Sequence, residues 1–159
     1  SDCQVLEATP LLRQLLAEAV SVDAMYAEVS RAGRLMALLL DEIAAARPLP
    51  LSAPLPQEPR LARLCMELLR QPSLDRSLDA MAAQAGMSRR TFTRQFRTQT
   101  GLAFAQWRQQ ACLLAAITCL AEGQAVTRVA LDLGYASPSA FTAAFRRVLG
   151  QAPSDYLSN

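Results

Sequence analysis

The sequence predicts an all-α protein: two like helical hairpins joined by a long linker helix, preceded by a helical segment and a proline-rich linker. Three observations predict it. Apolar residues recur at helical spacing along most of the chain, and no convincing alternating strand pattern interrupts them. Prolines at 48, 50, 54, 56 and 59 divide the chain into two unequal parts. The larger part contains an internal repeat.

From the N-terminus, Thr9-Pro10 offers a helix cap followed by proline at the first helical position, which predicts a helix to about Val20. Asp23 is placed to cap a longer helix to about Ala46, with Met25, Val29, Ala32, Met36, Leu39 and Ile43 along one stripe. The prolines that follow remove backbone donors and forbid helix, so residues 48–58 are expected to be stiff and extended. Pro59 then opens a helix to about Arg70 with Leu61, Leu64, Cys65 and Leu68 on one face, and Pro72-Ser73 breaks it. The expected organisation is therefore a helical segment over 1–47, the linker over 48–58, and a body over 59–159 that carries the repeat.

The first copy runs Leu78, Met81, Ala82, Ala85, Gly86, Phe92, Phe96, Gly101, and the second Val126, Val129, Ala130, Leu133, Gly134, Phe141, Phe145, Gly150. The apolar spacing matches before the first glycine and again from the first phenylalanine onward; only the turn differs, by one residue. Ala82 and Ala130 are small enough to let two helices approach, and Gly86 and Gly134 suit the left-handed conformation that ends a helix. Ser88, and Ser137 followed by Pro138, can cap the next helix, which the two phenylalanines then anchor. Each copy reads as a helix-turn-helix. Between them, Ala103 to Glu122 reads as one continuous helix with Phe104, Trp107, Ala111, Leu114, Ile117 and Ala121 as its buried stripe.

Charge gives the repeat a purpose. All 16 basic residues are arginine, which a genome rich in G and C also produces, so position carries more than number. Residues 1–58 hold four arginines and eight acids, a balance of −4, whereas the remainder holds twelve arginines and six acids, a balance of +6. No acid occurs from Ala80 to Ala121, a window that contains Arg89, Arg90, Arg94, Arg97 and Arg108. Arg90, Arg94 and Arg97 share one helix face opposite Phe92 and Phe96, and Thr93 joins them. A solvated face would normally mix signs; this one is shaped to enter a major groove. The equivalent surface of the second copy is Ser139, Thr142, Ala143 and Arg146, with Ala143 where the first has Arg94. The first unit is therefore expected to read most of the sequence, while the second mainly grips phosphates through Arg146 and Arg147.

Other chemistries find little support. The chain has no histidine, and Cys3, Cys65, Cys112 and Cys119 include no pair at metal or redox spacing, so buried free thiols in a reducing cytosol are expected, with no metal and no cofactor. With no glycine-rich phosphate loop, no activated nucleophile and no paired acids, an enzyme is not expected. The most apolar run, Leu35 to Leu40, is too short to cross a bilayer, and a cytoplasmic, nucleoid-associated location in a bacterium is expected. The rival is a helical protein–protein adaptor without specific DNA readout.

Residues 59–157 closely resemble the DNA-binding domain of the AraC/XylS transcription regulators. The resemblance is carried by Leu78-Asp79-Ala80-Met81-Ala82, Gly86-Met87-Ser88 and Phe92 to Gly101 in the first unit, and by Val129 to Tyr135, Ser137 to Phe141 and Phe145-Arg146-Arg147 in the second. It closes on Gly150-Gln151-Ala152-Pro153-Ser154-Asp155-Tyr156. Trp107-Arg108-Gln109-Gln110 is similar to a branch whose members carry a β-barrel sensor before this domain. The resemblance implies base contacts from Arg90, Thr93 and Arg94, with Ser139, Thr142 and Ala143 at the corresponding places. It implies backbone contacts from Arg97 and Arg146, and Ser88, Arg89, Ser137 and Arg147 are expected beside them. Two departures stand out: Cys112 where the family often has arginine, and Ala143-Ala144 in place of a polar pair. Residues 1–58 are too few and too helical for the barrel; they look like the helices that follow it, and the chain is expected to be a piece of a longer regulator. Its expected partners are double-stranded DNA and RNA polymerase if it activates; the apolar stripe on residues 23–46 has three open uses, a second copy through residues 9–46, the absent sensor, or the body of the chain itself.

Overall fold

In the computed structural model, which describes residues 5–156, the chain divides at Leu49–Pro50 into two units. The N-terminal unit consists of β1 (Val5–Leu6), α1 (Pro10–Ala19), α2 (Arg31–Ala45) and β2 (Pro48–Leu49). Thr9 caps α1 by accepting from Leu12 N–H at 3.1 Å, as Thr9-Pro10 predicts. Leu12, Leu15 and Leu39 are buried between the two helices, with Ala19, Leu35, Met36 and Ala46 packed around them.

Two features of this unit differ from expectation. The second helix begins at Arg31, not after Asp23, and Met25 and Val29 are almost fully exposed. Asp23 spends its carboxylate on Met25 N–H, two residues on, which closes a turn in place of a helix. Ser30 is the actual cap, accepting from Gly33 N–H at 3.1 Å. Gly33 also lets the preceding segment fold back against the helix: a Cβ there would lie 2.0 Å from the Glu28 carbonyl oxygen. The second difference is a strand pair. Val5 and Leu6 run antiparallel to Leu49 and Pro48, and Glu7 N–H adds a bond to the Arg47 carbonyl. Two-residue strands are too short to show alternation, and Pro48, lacking a donor, sits at a ladder end.

The second unit contains α3 (Pro59–Arg70), α4 (Leu78–Gln84), α5 (Arg89–Thr100), α6 (Phe104–Ala121), α7 (Val126–Asp132), α8 (Pro138–Leu149) and α9 (Pro153–Tyr156). The hairpins α4–α5 and α7–α8 match in helix length, at seven and twelve residues each. Burial repeats with them: Met81, Ala82, Ala85, Phe92 and Phe96 are buried, as are Val129, Ala130, Leu133, Phe141 and Phe145. Each first helix ends in the same six-residue motif. Gly86 and Gly134 have φ of 65° and 76°, and the following Met87 and Tyr135 donate back to the Ala82 and Ala130 carbonyls at 2.9 and 3.0 Å.

Residues 50–58 are not a free spacer. Leu51 and Pro56 are buried, the Trp107 indole N–H donates to the Pro54 carbonyl at 2.9 Å, Ser52 N–H donates to Gln110 Oε1, and Glu58 N–H to Gln99 Oε1. The prolines forbid helix there, and the segment lies as a strap against α6 through these bonds. Glu58 then caps α3 through Leu61 N–H at 2.8 Å. The buried side of α6 also departs from the expected stripe after Ala111. Cys112, Leu113, Ala116 and Leu120 are buried, whereas Leu114 and Ile117 are half-buried and Ala121 is exposed. A helix gripped by a hairpin on each flank buries more than one stripe. Among the described residues no helix is long and apolar enough to cross a membrane.

Trp107→Phe should cost roughly 1–3 kcal/mol in urea unfolding, because it strands the half-buried Pro54 carbonyl, and it should also speed hydrogen exchange at Ser52. A pH effect follows from the core. Burial pushes the Cys65 and Cys112 thiols and the Tyr135 phenol up to about 12. These groups stay neutral when folded but ionise in the unfolded chain from about pH 8.5 for thiols and about 10 for the phenol. Their contribution to stability is complete below that range and is lost as pH rises toward 12. The urea midpoint should fall steadily in that window, and Cys65→Ala with Cys112→Ala should flatten the slope.

Candidate nucleic-acid interface

The candidate surface begins with what α5 hides. Phe92 and Phe96 are fully buried and stack with ring centroids 5.8 Å apart. Phe104 meets both edge-on at 5.0 and 5.1 Å, and Trp107 meets Phe96 at 5.9 Å. With that face fixed, Arg90, Thr93, Arg94 and Arg97 all lie exposed on the other side of the helix. No described carboxylate comes within ion-pair distance of Arg90, Arg94 or Arg97. Three guanidiniums on one face, each free to turn its fork outward, make a surface suited to phosphates and guanine edges.

The remaining residues of the first hairpin are partly engaged. Arg89 faces Asp79 at 3.4 Å, but both side chains are about two-thirds exposed, so the pair is weak and open to exchange. The Ser88 hydroxyl caps α5 by accepting from Thr91 N–H at 3.3 Å and donates its own proton to Thr91 Oγ1 at 3.0 Å. Thr93 turns its hydroxyl back to the Arg89 and Arg90 carbonyls, at 3.0 and 3.2 Å, which leaves its methyl group the available contact.

On α8 the buried anchors are Phe141 and Phe145, with Tyr135 edge-on to Phe141 at 5.2 Å. Ser139, Ala143, Arg146 and Arg147 are exposed, and Thr142 is half-buried. Ser137 caps the helix through Ala140 N–H at 3.1 Å. No ion pair holds Arg146 or Arg147 among the described residues. The outward face of α8 thus offers small groups along its first two turns and positive charge at its last.

Arg108 does not join this surface, although it lies in the acid-free window. It is half-buried, donates from Nη1 to the Arg76 carbonyl, and holds its guanidinium 5.7 Å over the Phe104 ring. Cys112 is fully buried, so the place where the related family often has arginine is here an apolar contact within the core. Cys65 is likewise buried, Cys119 is half-buried, and all three are free thiols; Cys3 lies outside the described residues.

Comparison with known proteins agrees with this geometry. A family model described as a helix-turn-helix domain matches residues 81–159. The chain is 31% identical over 158 residues to the HTH-type transcriptional regulator NimR of Escherichia coli (strain K12), covering 99% of this chain and 58% of NimR. It is 36% identical over 81 residues to the regulatory protein SoxS of Salmonella typhimurium (strain LT2), covering 50% of this chain and 76% of SoxS. Among solved structures, the DNA-binding domain of AdpA, a global transcriptional factor crystallised with a target DNA, superposes with a TM-score of 0.58 at 37% identity, over 61% of this chain and 88% of that one. The chain spans little more than half the length of NimR. With paired hairpins and a relative such as SoxS matched over three-quarters of its length, the chain belongs to the AraC-type helix-turn-helix transcriptional regulators.

Proposed function

We propose that this chain binds double-stranded DNA sequence-specifically and thereby regulates transcription in a bacterial cytoplasm. The observation that carries the reading is the trio Arg90, Arg94 and Arg97, without an ion pair among the described residues and held outward by two buried rings. Arg90 and Arg94 are the base-reading side chains, through bidentate bonds to guanine, and Thr93 meets a thymine methyl. Arg97 neutralises phosphate, with Arg89 released from Asp79 to do the same and Ser88 at the helix entrance.

In the second hairpin, Ser139, Thr142 and Ala143 face the bases without a bidentate group, so its main work is grip through Arg146, Arg147 and the capped N-terminus at Ser137. The 18 residues of α6 span about 27 Å at ~1.5 Å per residue, against roughly 34 Å between successive major-groove segments on one face. That span supports both hairpins using one side of a duplex.

The N-terminal unit suits a protein contact. Leu11, Leu16, Leu38, Leu40 and Ile43 are exposed on its helices, which supports a second copy as partner through residues 9–46. RNA polymerase would be a further partner if the chain activates.

Selecting duplexes from a random pool tests the function and reports the site. Log affinity should fall linearly with log salt by roughly 0.9 per phosphate neutralised. Arg94→Ala should cost about 1–3 kcal/mol on the selected site and relax its specificity, whereas Arg97→Ala and Arg146→Ala should weaken all sequences alike and flatten the salt slope. If Arg94→Ala binds as the parent does, the assignment of base reading to α5 is wrong. Sedimentation should show self-association at high concentration; a clean monomer would remove the homodimer.

A further inference from the structure

The two hairpins are joined by more than α6. The connector between α3 and α4 reaches across to the turn of the second hairpin. Leu74 N–H donates to the Leu133 carbonyl at 3.0 Å, and the Asp75 carboxylate covers Gly134 so closely that a Cβ there would sit 2.6 Å from Oδ1. On its other side the connector is tied to α6, because Arg108 Nη1 donates to the Arg76 carbonyl. Its own shape is set locally: the Ser73 hydroxyl accepts from Asp75 N–H at 3.1 Å and donates to Asp75 Oδ2 at 3.3 Å, and Arg76 pairs with Glu67 of α3 at 3.1 Å.

The turn itself does not need this contact. Gly86, at the same place in the first hairpin with nearly the same φ, has among the described residues only Arg60 Nη1 nearby, 3.6 Å from where its Cβ would be. The extra neighbours in the second copy belong to a link between hairpins. A single helix fixes the distance between the units it joins more firmly than their mutual rotation, and a second attachment off the helix axis resists that rotation.

We propose that residues 73–76, clamped between Arg108 and the Leu133–Gly134 turn, are a positioning element that fixes the rotation between α5 and α8 and so the base-pair spacing at which both hairpins can be used together. The consequence for spacing rests on the DNA-binding reading; the rotational restraint does not.

The test compares the full chain with Asp75→Ala/Arg108→Ala and with the conservative Asp75→Asn. Residual dipolar couplings are fitted separately for α4–α5 and α7–α8, without DNA. One alignment tensor should serve both hairpins in the parent and in Asp75→Asn, while the double variant should need two, with the order of the second hairpin reduced by about half. Duplexes selected by the parent are then rebuilt with one base pair inserted between the two contacted segments. The parent should lose about tenfold or more in affinity, and the double variant markedly less. A double variant that keeps a single tensor overturns the clamp whatever happens with DNA. Changed couplings with no duplex ever selected by the parent would support the clamp and sink the DNA-binding reading. Leu74→Pro, which deletes the donor to Leu133, gives a second route to the same couplings should the double variant fold poorly.

Discussion

Two phenylalanine rings four residues apart fix which way each second helix faces. Phe92 and Phe96 in one hairpin, Phe141 and Phe145 in the other, are wholly removed from solvent, and truncating one such ring costs about 3–5 kcal/mol. A domain of this size holds only about 5–15 kcal/mol in all. Turning α5 by half a revolution would expose both rings and drive three guanidiniums against Phe104 and Trp107, which no margin of that order survives. The outward display of Arg90, Arg94 and Arg97 is therefore a consequence of core packing. It does not depend on interactions of the arginines themselves, and they remain available for another molecule.

The same logic explains what could be read from the sequence. Hairpin lengths, turn glycines, serine caps and the extent of α6 are all specified by residues within a few positions of one another, and the repeat states all but the last of these twice. The outward placement of Arg90, Arg94 and Arg97 is legible for the same reason, since it follows from helical geometry relative to Phe92 and Phe96. Errors arise where a local signal has two outcomes. Asp23 can cap a helix or close a turn; here it closes a turn through Met25 N–H, and the cap falls to Ser30, next to Gly33, which admits the Glu28 carbonyl.

Other features depend on partners far along the chain. The strap needs Trp107 and Gln110, more than fifty residues beyond Ser52 and Pro54, and the β1–β2 pair joins segments more than forty residues apart. Arg108 is the instructive case. It counts toward the positive charge of the acid-free stretch, yet its guanidinium is committed to Arg76 and the Phe104 ring. Charge counting sees the window but not which arginines the fold has already used.

The proposed division of labour rests on differences between two copies of one scaffold. Both hairpins share helix lengths, buried anchors and turn geometry, but their surroundings differ. The first is built into the larger aromatic cluster and braced by α3 and the strap, so its outward face can carry long charged side chains on a rigid base. The second presents Ser139 and Ala143 where the first presents Arg90 and Arg94, and its turn is held from outside by Leu74 and Asp75. A hairpin that reads bases needs forked donors in a fixed register, whereas one that grips phosphates needs mainly to arrive at the right place along the duplex. On the proposed division, the absence of arginine from the second reading face and the external hold on its turn are complementary: α5 would carry the base contacts, and the contact on Gly134 would set where α8 arrives along the duplex.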